Sequence, residues 1–376
     1  MGRLAKYSII KVLGKRDQIW DTLPFVVKPE SEESLYSYLI RISLGYGIAP
    51  GAFVNNYLPE IKGIIGAKDI DIYLSEEHIR KISSKFRLSF EELYRTSLRS
   101  LNGVLFSQPN VITTTPFVDA LSEKNTFFLG YGYKVCPVCL KEWLINNNRK
   151  NKKLLFITPP IKKFWRLSFY LVCPLHKTLL IDRCPQCKSP LNYHKLHDIN
   201  SHPACFKCGS SYYDFPKVSC KEIPNVINPF RELYDILTTK KAILNCENFQ
   251  YILRAVDYFG ILRNFVRVIQ RLLRKNGLKL FSITETEYIL EVTKLYCLAL
   301  NLNYVEALKS LENQKKKLEY LPIEAKFPII FLAYKILKDL PKFLKVLKSS
   351  LKINYVIIFK DWTGNIPNFL KRELKF

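Results

Sequence analysis

The sequence lacks any apolar run long enough to span a bilayer. Its longest apolar runs are FPIIFLAY (327–334) and YVIIF (355–359), whereas a spanning helix needs about 20 apolar residues. Charges are scattered through the opening segment, which leaves no apolar stretch of the kind found in signal peptides. Lys6 also stands where a myristoylation signal requires serine or threonine. We therefore expect a cytoplasmic protein with no membrane partner.

Acidic residues are scarce relative to basic ones. The chain of 376 residues contains 58 lysines and arginines against 33 aspartates and glutamates, which gives a formal net charge of +25. Such an excess of positive charge favours a polyanionic partner, because neutralising phosphates releases their counterions. Nucleic acid, and DNA in particular, is the expected partner class.

The motifs of two enzyme classes are also absent. No histidine is followed two residues later by glutamate, which excludes the signature of the zinc-dependent nucleobase deaminases. The segment GIIGAK (63–68) has the wrong spacing for a Walker A loop and no serine or threonine after it. We therefore expect a protein that is not an enzyme, and a zinc-dependent nuclease or transposase with scattered carboxylates stays as an alternative.

Cysteine and histidine form a dense group of close pairs in the middle of the chain. Four pairs with two intervening residues fall within 73 residues: Cys136 with Cys139, Cys173 with His176, Cys184 with Cys187, and Cys205 with Cys208. This spacing lets one tight turn direct both side chains at one ion, and structural zinc takes four such ligands. Eight ligands predict two structural Zn²⁺ sites, with reduced thiolates rather than disulfides.

Two assignments of the pairs are open. In the sequential assignment, the first and second pairs share one zinc, and the third and fourth pairs share the other. The gap between pairs is then 33 residues in the first site and 17 in the second, and the shorter gap is typical of zinc ribbons. The interleaved assignment follows cross-brace domains. Buried cysteines or a redox dithiol are the interpretations without metal.

Three other cysteines, and the three histidines that lie within or near the Cys-rich segment, have no close partner, and we expect them in core, surface or supporting positions. They are Cys220, Cys246, Cys297, His194, His197 and His202.

Composition and periodicity divide the chain into four segments. We predict an N-terminal arm over 1–30, a helical domain over 31–115, a zinc-binding domain over 120–215 and a basic helical domain over 220–376. The fold class is mainly α and multi-domain, with a zinc-ribbon or knuckle segment in the centre. The central segment has poor periodicity and many Cys, Pro, His and aromatic residues, so it needs metal to fold.

The N-terminal helical domain carries the clearest helix signals. Ser31 is the predicted cap of a helix that ends before Gly45. Helices are also predicted over 75–85, capped by Ser75, and over 89–99, where Ser89 and Glu92 form a capping box.

The last two predicted helices form a helix-turn-helix pattern. The candidate nucleic-acid contacts on it are Lys81, Lys85, Arg87, Arg95 and Arg99. A plain helical hairpin that docks on protein is the alternative interpretation.

The C-terminal half has helical spacing over 288–301 and 333–351, and Ser282 with Glu285 predicts another capping box. Its basic runs at 275–279, 315–317 and 342–348 are candidates for a surface that faces phosphates.

Four segments carry a resemblance to a known family. They are ESLYSYLIRISLGYG (33–47), YKVCPVC (133–139), FWRLSFYLVCPLHKTLLIDRCPQC (164–187) and FLKREL (369–374). In these segments the chain resembles the TniQ-type transposition proteins, which include the longer TnsD-type target selectors. The zinc segment is the most specific part of the resemblance.

The resemblance implies a role in choosing or relaying the target site of a transposon. Such proteins connect a target-recognition element to an AAA+ regulator, which recruits the transposase. Some bind a specific DNA site themselves, and others dock on an RNA-guided CRISPR effector, often as a dimer, so a homodimer is one expectation. The family's zinc ligands correspond to all eight residues of the four pairs. The chain is shorter than the TnsD type, which favours the adaptor form.

Overall fold

A computed structural model of the chain describes residues 22–64, 69–107, 115–121, 130–150, 158–193, 203–221, 223–245, 250–312 and 316–340. The fold is mainly helical, which confirms the predicted class. The α-helices in these ranges are α1 (Leu35–Gly45), α2 (Pro50–Tyr57), α3 (Ile70–Tyr73), α4 (Glu76–Phe86), α5 (Phe90–Tyr94), α6 (Pro137–Lys150), α7 (Pro224–Thr239), α8 (Ala255–Asn276), α9 (Ile283–Ala299), α10 (Tyr304–Glu312) and α11 (Ile323–Lys338). The strands are β1 (Val172–Cys173), β2 (Thr178–Leu179), β3 (Val218–Ser219), β4 (Lys241–Asn245) and β5 (Gln250–Arg254).

Some of the predicted features lie outside the described residues. They are the N-terminal arm as far as residue 21, His194, His197, His202, Cys246, the basic run at 342–348 and the FLKREL segment at 369–374. Among the helices that are described, none is both long and apolar enough to cross a membrane.

Helix α1 lies at the centre of the N-terminal region, and nearly all of its residues are buried. One of them is Arg41, whose Nη2 atom lies 2.7 Å from Oε2 of the buried Glu33. An ion pair compensates the cost of removing both charges from water, so the helix can be enclosed on every side.

The ends of α1 differ from the prediction. The helix begins after Ser34, whose side chain accepts a backbone N–H bond from the first turn, so the predicted cap at Ser31 is wrong. Glu32 explains the difference, because its φ of 62° is incompatible with a helix running through it. Gly45 lies in the last turn rather than beyond it, and the left-handed glycine that follows the helix is Gly47, with a φ of 67°.

The predicted helix-turn-helix segment contains α4 and a much shorter second helix. The caps are confirmed, because Ser75 accepts a backbone bond at the start of α4 and Ser89 with Glu92 forms the capping box of α5. The predicted helix over 89–99 is wrong in length, since α5 ends at Tyr94 and a 3₁₀-helix follows at Leu98–Leu101. The helix-turn-helix is therefore not shown.

Hydroxyl side chains end α5 early. Thr96 Oγ1 donates to Leu93 O at 2.6 Å, and Ser97 Oγ donates to Asp71 O at 2.7 Å. Such local bonds compete with the hydrogen bonds that would continue a helix. At a rise of about 1.5 Å per residue, α5 is only about 7.5 Å long, which is short for a recognition helix.

The central region is organised by a small antiparallel sheet with the order β1-β2-β3. Val172 pairs with Leu179, and Leu179 pairs in turn with Val218. Ile181, two residues after β2, forms an antiparallel bridge with Val135. This bridge brings the segment before α6 to the same sheet. Chain segments about 40 residues apart therefore lie side by side, as the close-pair motifs require.

The C-terminal region contains α7 to α11 and one β-hairpin. The capping box of Ser282 and Glu285 begins α9, as predicted. Helix α11 begins at Ile323, ten residues before the predicted start at 333. The β4–β5 hairpin was missed, because β4 places apolar residues on both faces: Leu244 is buried, whereas Ile243 is 59% exposed. That pattern hides the alternation on which strand prediction depends.

The three regions share one contiguous hydrophobic core that extends from Leu23 to Leu340. An ion network crosses the core at Asp119, which lies against Lys134 and whose Oδ1 atom is 2.8 Å from Nζ of Lys326 in α11. All three side chains are fully buried, and burial lowers the pKa of Lys134 to about 8. The predicted domain boundaries stay predictions, because the core runs across them.

Candidate metal centres

Three of the four close pairs lie on the same type of turn. In each turn the residue after the second ligand is left-handed and donates its backbone N–H to the carbonyl of the first ligand. These residues are Lys177 (φ 52°), Lys188 (φ 61°) and Gly209 (φ 75°), with N–O distances of 2.8, 2.9 and 2.8 Å. The turn reverses the chain within four residues, so both ligand side chains project from one side of it.

The fourth pair lies at the start of helix α6. Cys136 directly precedes the helix, Pro137 occupies its first position and Cys139 lies in its first turn. Proline is favoured at this position because it has no N–H to leave unpaired. The positive end of the helix dipole favours thiolates in the first turn.

The first cluster consists of Cys136, Cys139, Cys173 and His176. Nδ1 of His176 lies 3.4, 3.2 and 3.5 Å from the three sulfurs in that order, and the sulfurs of Cys139 and Cys173 are 3.6 Å apart. A tetrahedral zinc with ordinary bond lengths gives edges of about 3.6 Å for N–S and about 3.8 Å for S–S. The cluster therefore has the dimensions of a zinc tetrahedron.

Glu142 orients the histidine of the first cluster. Its Oε2 atom lies 2.8 Å from Nε2 of His176, so a proton on Nε2 leaves Nδ1 facing the sulfurs with its lone pair. The motif analysis missed this residue. The signal was available in the spacing, because Glu142 follows Cys139 by three residues on α6 and therefore lies on the same helix face.

The second cluster consists of Cys184, Cys187, Cys205 and Cys208. The sulfurs of Cys184 and Cys208 are 3.5 Å apart, as are those of Cys187 and Cys205. All four sulfurs lie within 4.8 Å of one another. Each half of the cluster is formed by one copy of the turn described above.

A serine supports the second ligand in each half of this cluster. Ser189 Oγ lies 3.4 Å from the sulfur of Cys187, and Ser210 Oγ lies 3.1 Å from that of Cys208. Hydrogen bonds to sulfur stabilise the thiolate form, although burial opposes them, and the pKa of Cys208 is lowered to about 6. Sequence reasoning missed both serines, because serine is common in turns for other reasons.

The sulfurs compete for protons in each cluster. Hydrogen bonds from Cys139 and Cys173 lower the pKa of Cys136 to about 2, whereas the bond to Cys136 raises the pKa of Cys139. Burial raises the pKa of Cys205 to about 12. Neighbouring thiolates repel one another, and a divalent cation in the centre removes that conflict. Each cluster has the geometry to hold a metal ion, and its soft donors fit zinc.

The described cysteines are all free thiols, as expected. The structure brings the eight residues together as the sequential assignment predicted, and the interleaved arrangement is not found. Cys220 and Cys297 are buried outside both clusters.

Comparison with protein families adds the identity of the region. Residues 24–180 match the family model described as TniQ. The chain carries a TniQ domain. This match confirms the resemblance seen in the sequence motifs and associates the protein with transposition. No curated protein matches the chain.

The TniQ match includes all of the first cluster and ends before Cys184, so the second cluster lies beyond it. The match also contains the buried Arg166 of the FWR motif. Its guanidinium bonds to Asp69 Oδ2 at 2.5 Å and to the carbonyl of Asp119 at 3.0 Å. This arginine therefore ties the segment between the two ligand pairs of the first cluster to the start of α3.

The five candidate nucleic-acid contacts in the TniQ domain do not form one surface. Lys85 and Arg99 turn inward and donate to the carbonyls of Tyr57 and Ile72. The other three, Lys81, Arg87 and Arg95, are exposed.

Two of the exposed residues have neighbours of their own. Lys81 pairs with Glu77 at 2.7 Å, and Arg87 Nη2 donates to Thr22 Oγ1 at 3.0 Å. Only exposed residues can reach a phosphate without rearrangement, so three of the five candidates are placed for contact.

Proposed function

We propose that this TniQ-domain protein is a non-enzymatic adaptor in target selection for transposition. It connects an AAA+ transposition regulator to the target DNA and to a target-recognition element. That element is an RNA-guided CRISPR effector. The TniQ match over residues 24–180 carries this proposal.

Two structural Zn²⁺ ions fold the centre of the adaptor. Their ligands are the eight side chains of the two clusters: Cys136, Cys139, Cys173 and His176 in the first, and Cys184, Cys187, Cys205 and Cys208 in the second. Each cluster supplies four protein ligands. A catalytic zinc keeps one position for water or substrate, so closed sets of four support a structural role.

The adaptor proposal is tested by reconstitution. The purified chain is mixed with an AAA+ transposition regulator and a guide-loaded CRISPR effector, and complexes are separated by size. Co-elution of the chain with both partners is expected, and the zinc content should be two per chain. Binding to neither partner would contradict the adaptor role. Metal-stimulated cleavage of DNA by the chain alone would instead support a nuclease or transposase.

The net charge of +25 favours a second candidate, a selector of TnsD type that recognises a DNA site directly. Such a protein discriminates between DNA sequences by about 10³-fold or more. Selection of bound fragments from random and genomic DNA at two salt concentrations separates the candidates. A recovered motif supports the selector, whereas uniform binding that disappears with salt indicates contact with phosphates alone.

A further inference from the structure

Helix α8 presents a row of arginines along one side. Arg263, Arg267, Arg271 and Arg274 fall within about 80° of the helix circumference and extend over about 16 Å of its length. We call these four residues the arginine row. Arg274 is exposed, and the other three are partly exposed. The opposite side of α8 is fixed in the core through Leu262, Phe265, Ile269 and Leu272.

A second basic segment lies beside the arginine row. Gln270 Nε2 donates to the carbonyl of Lys316 at 3.2 Å, which places the exposed Lys316 and Lys317 next to the middle of α8. The 3₁₀-helix Leu318–Tyr320 follows at once and is anchored in the core by Leu318. Helix α8 and the segment that leads into this 3₁₀-helix therefore bring six cationic residues close together.

The nearby acidic side chain is turned away from solvent. Glu319 is buried, and its Oε1 atom accepts a hydrogen bond from Phe117 N at 3.2 Å. The pKa of Arg263 is lowered, mainly by burial. The negative charge of Glu319 raises this pKa, and the positive charge of Arg267 lowers it further. The carboxylate of Glu319 is directed into the core, and repulsion between neighbouring arginines of the row favours a polyanionic partner.

We propose that the arginine row of α8, together with Lys316 and Lys317, binds the phosphate backbone of duplex DNA. Guanidinium groups make bidentate contacts with phosphate oxygens. A duplex presents about ten phosphate charges along the length of the row. Because the row lies on a well-packed helix, it requires little ordering on binding.

Duplex DNA fits this surface better than a single strand. Proteins that hold single strands combine a basic groove with aromatic side chains on which bases stack. The aromatic residues of α8, Tyr258, Phe259 and Phe265, are all buried. Helix α8 therefore offers cations without aromatic side chains on which bases could stack, and its contacts with DNA are independent of sequence.

This inference depends on the proposed function in one respect, namely that DNA is the partner. It is tested on the full chain with both clusters loaded with zinc. Affinity for a labelled duplex of random sequence is measured by fluorescence anisotropy over a series of salt concentrations. The Arg267→Gln, Arg271→Gln, Arg274→Gln triple variant should reduce the slope of log affinity against log salt by about 2.7, which is about 0.9 for each lost phosphate contact.

A control triple variant removes the same charge elsewhere. Lys217, Lys221 and Lys241 are exposed and lie off α8, and their replacement by glutamine should leave the slope unchanged. If both triple variants reduced the slope equally, net charge alone would explain the effect, and the proposal would be overturned. An unchanged slope in the α8 triple would overturn it as well.

Two additional measurements keep the test decisive. If the α8 triple fails to fold, the single Arg274→Gln variant should still reduce the slope by about 0.9, because that side chain is exposed. A labelled single strand should bind with a slope that the α8 triple changes less than it changes the duplex slope. DNA binding that does not depend on α8 would refute this inference and leave the adaptor role intact.

Discussion

The two clusters use similar ligands in different surroundings. The first joins a helix start to a turn, lies against the three-stranded sheet and follows directly on Lys134, whose partner Asp119 also contacts α11. The second joins two copies of one turn, and its ligand Cys208 is exposed. Both clusters reach the shared core, through Cys136 and Cys173 in the first and Cys184 and Cys205 in the second. Removing one ligand is still expected to have different consequences, because the ion network lies beside the first cluster and the second has an exposed ligand.

The largest effect is expected from Cys136→Ser in the first cluster. Binding of a structural zinc contributes on the order of 10 kcal/mol or more to folding, which is comparable with the stability of a whole domain. Because this cluster is continuous with the core, the variant should lose cooperative unfolding and nearly all folded protein. Circular dichroism and zinc content measure this. A native melting curve with one zinc lost would show that the first cluster is peripheral.

Cys184→Ser in the second cluster is expected to unfold the surrounding turns and spare more of the molecule. The variant should bind about one zinc per chain, because the first cluster keeps its four ligands. Proteolysis should then cut within residues 183–221 before it cuts elsewhere. The comparison between clusters fails if this variant unfolds as completely as Cys136→Ser, or if it keeps both ions and native stability.

Asp119→Asn tests whether the ion network accounts for the difference. The substitution leaves Lys134 and Lys326 buried without their common counter-charge, which typically costs about 3–5 kcal/mol. Chemical denaturation measures the loss. The matched control is Asp257→Asn, which removes an exposed pair with Arg254 and should cost far less, because solvent screens that pair. An equal loss of stability in the two variants would show that the ion network does not explain the difference between the clusters.

The smallest effect is expected from Glu142→Ala. Without the carboxylate, His176 loses the bond that fixes its ring, and partners of this kind change metal affinity by about 10- to 100-fold. Competition with a chelator should release the first zinc earlier and leave the second unaffected. Glu142→Gln is the conservative variant, because its amide oxygen can still accept from Nε2. An equal loss in both variants would mean that hydrogen bonding to His176 is not the cause.

The sequence predicted the two clusters well, because a close pair of ligands is a local feature that a single turn creates. The caps at Ser75, Ser89 and Ser282 were predicted for the same reason, since a capping box depends on four residues alone, whereas the cap at Ser31 was wrong. The predicted length of the second helix in the hairpin was wrong, because Ser97 donates a hydrogen bond to Asp71, which is 26 positions away in the sequence. The arginine row was missed because two or three other residues separate its members in the sequence, and only the helix brings them to one side.

The sheet beside the first cluster sets a limit on how this protein can be divided. The TniQ match ends at residue 180, between β2 and β3. A fragment cut there would lose β3, which pairs with β2 at Leu179 and Val218, and Glu319, which accepts a bond from Phe117. The matched segment is therefore not a module that can be transplanted alone. Chimaeras with proteins that carry a TniQ domain should exchange the chain through β3 and α11 together.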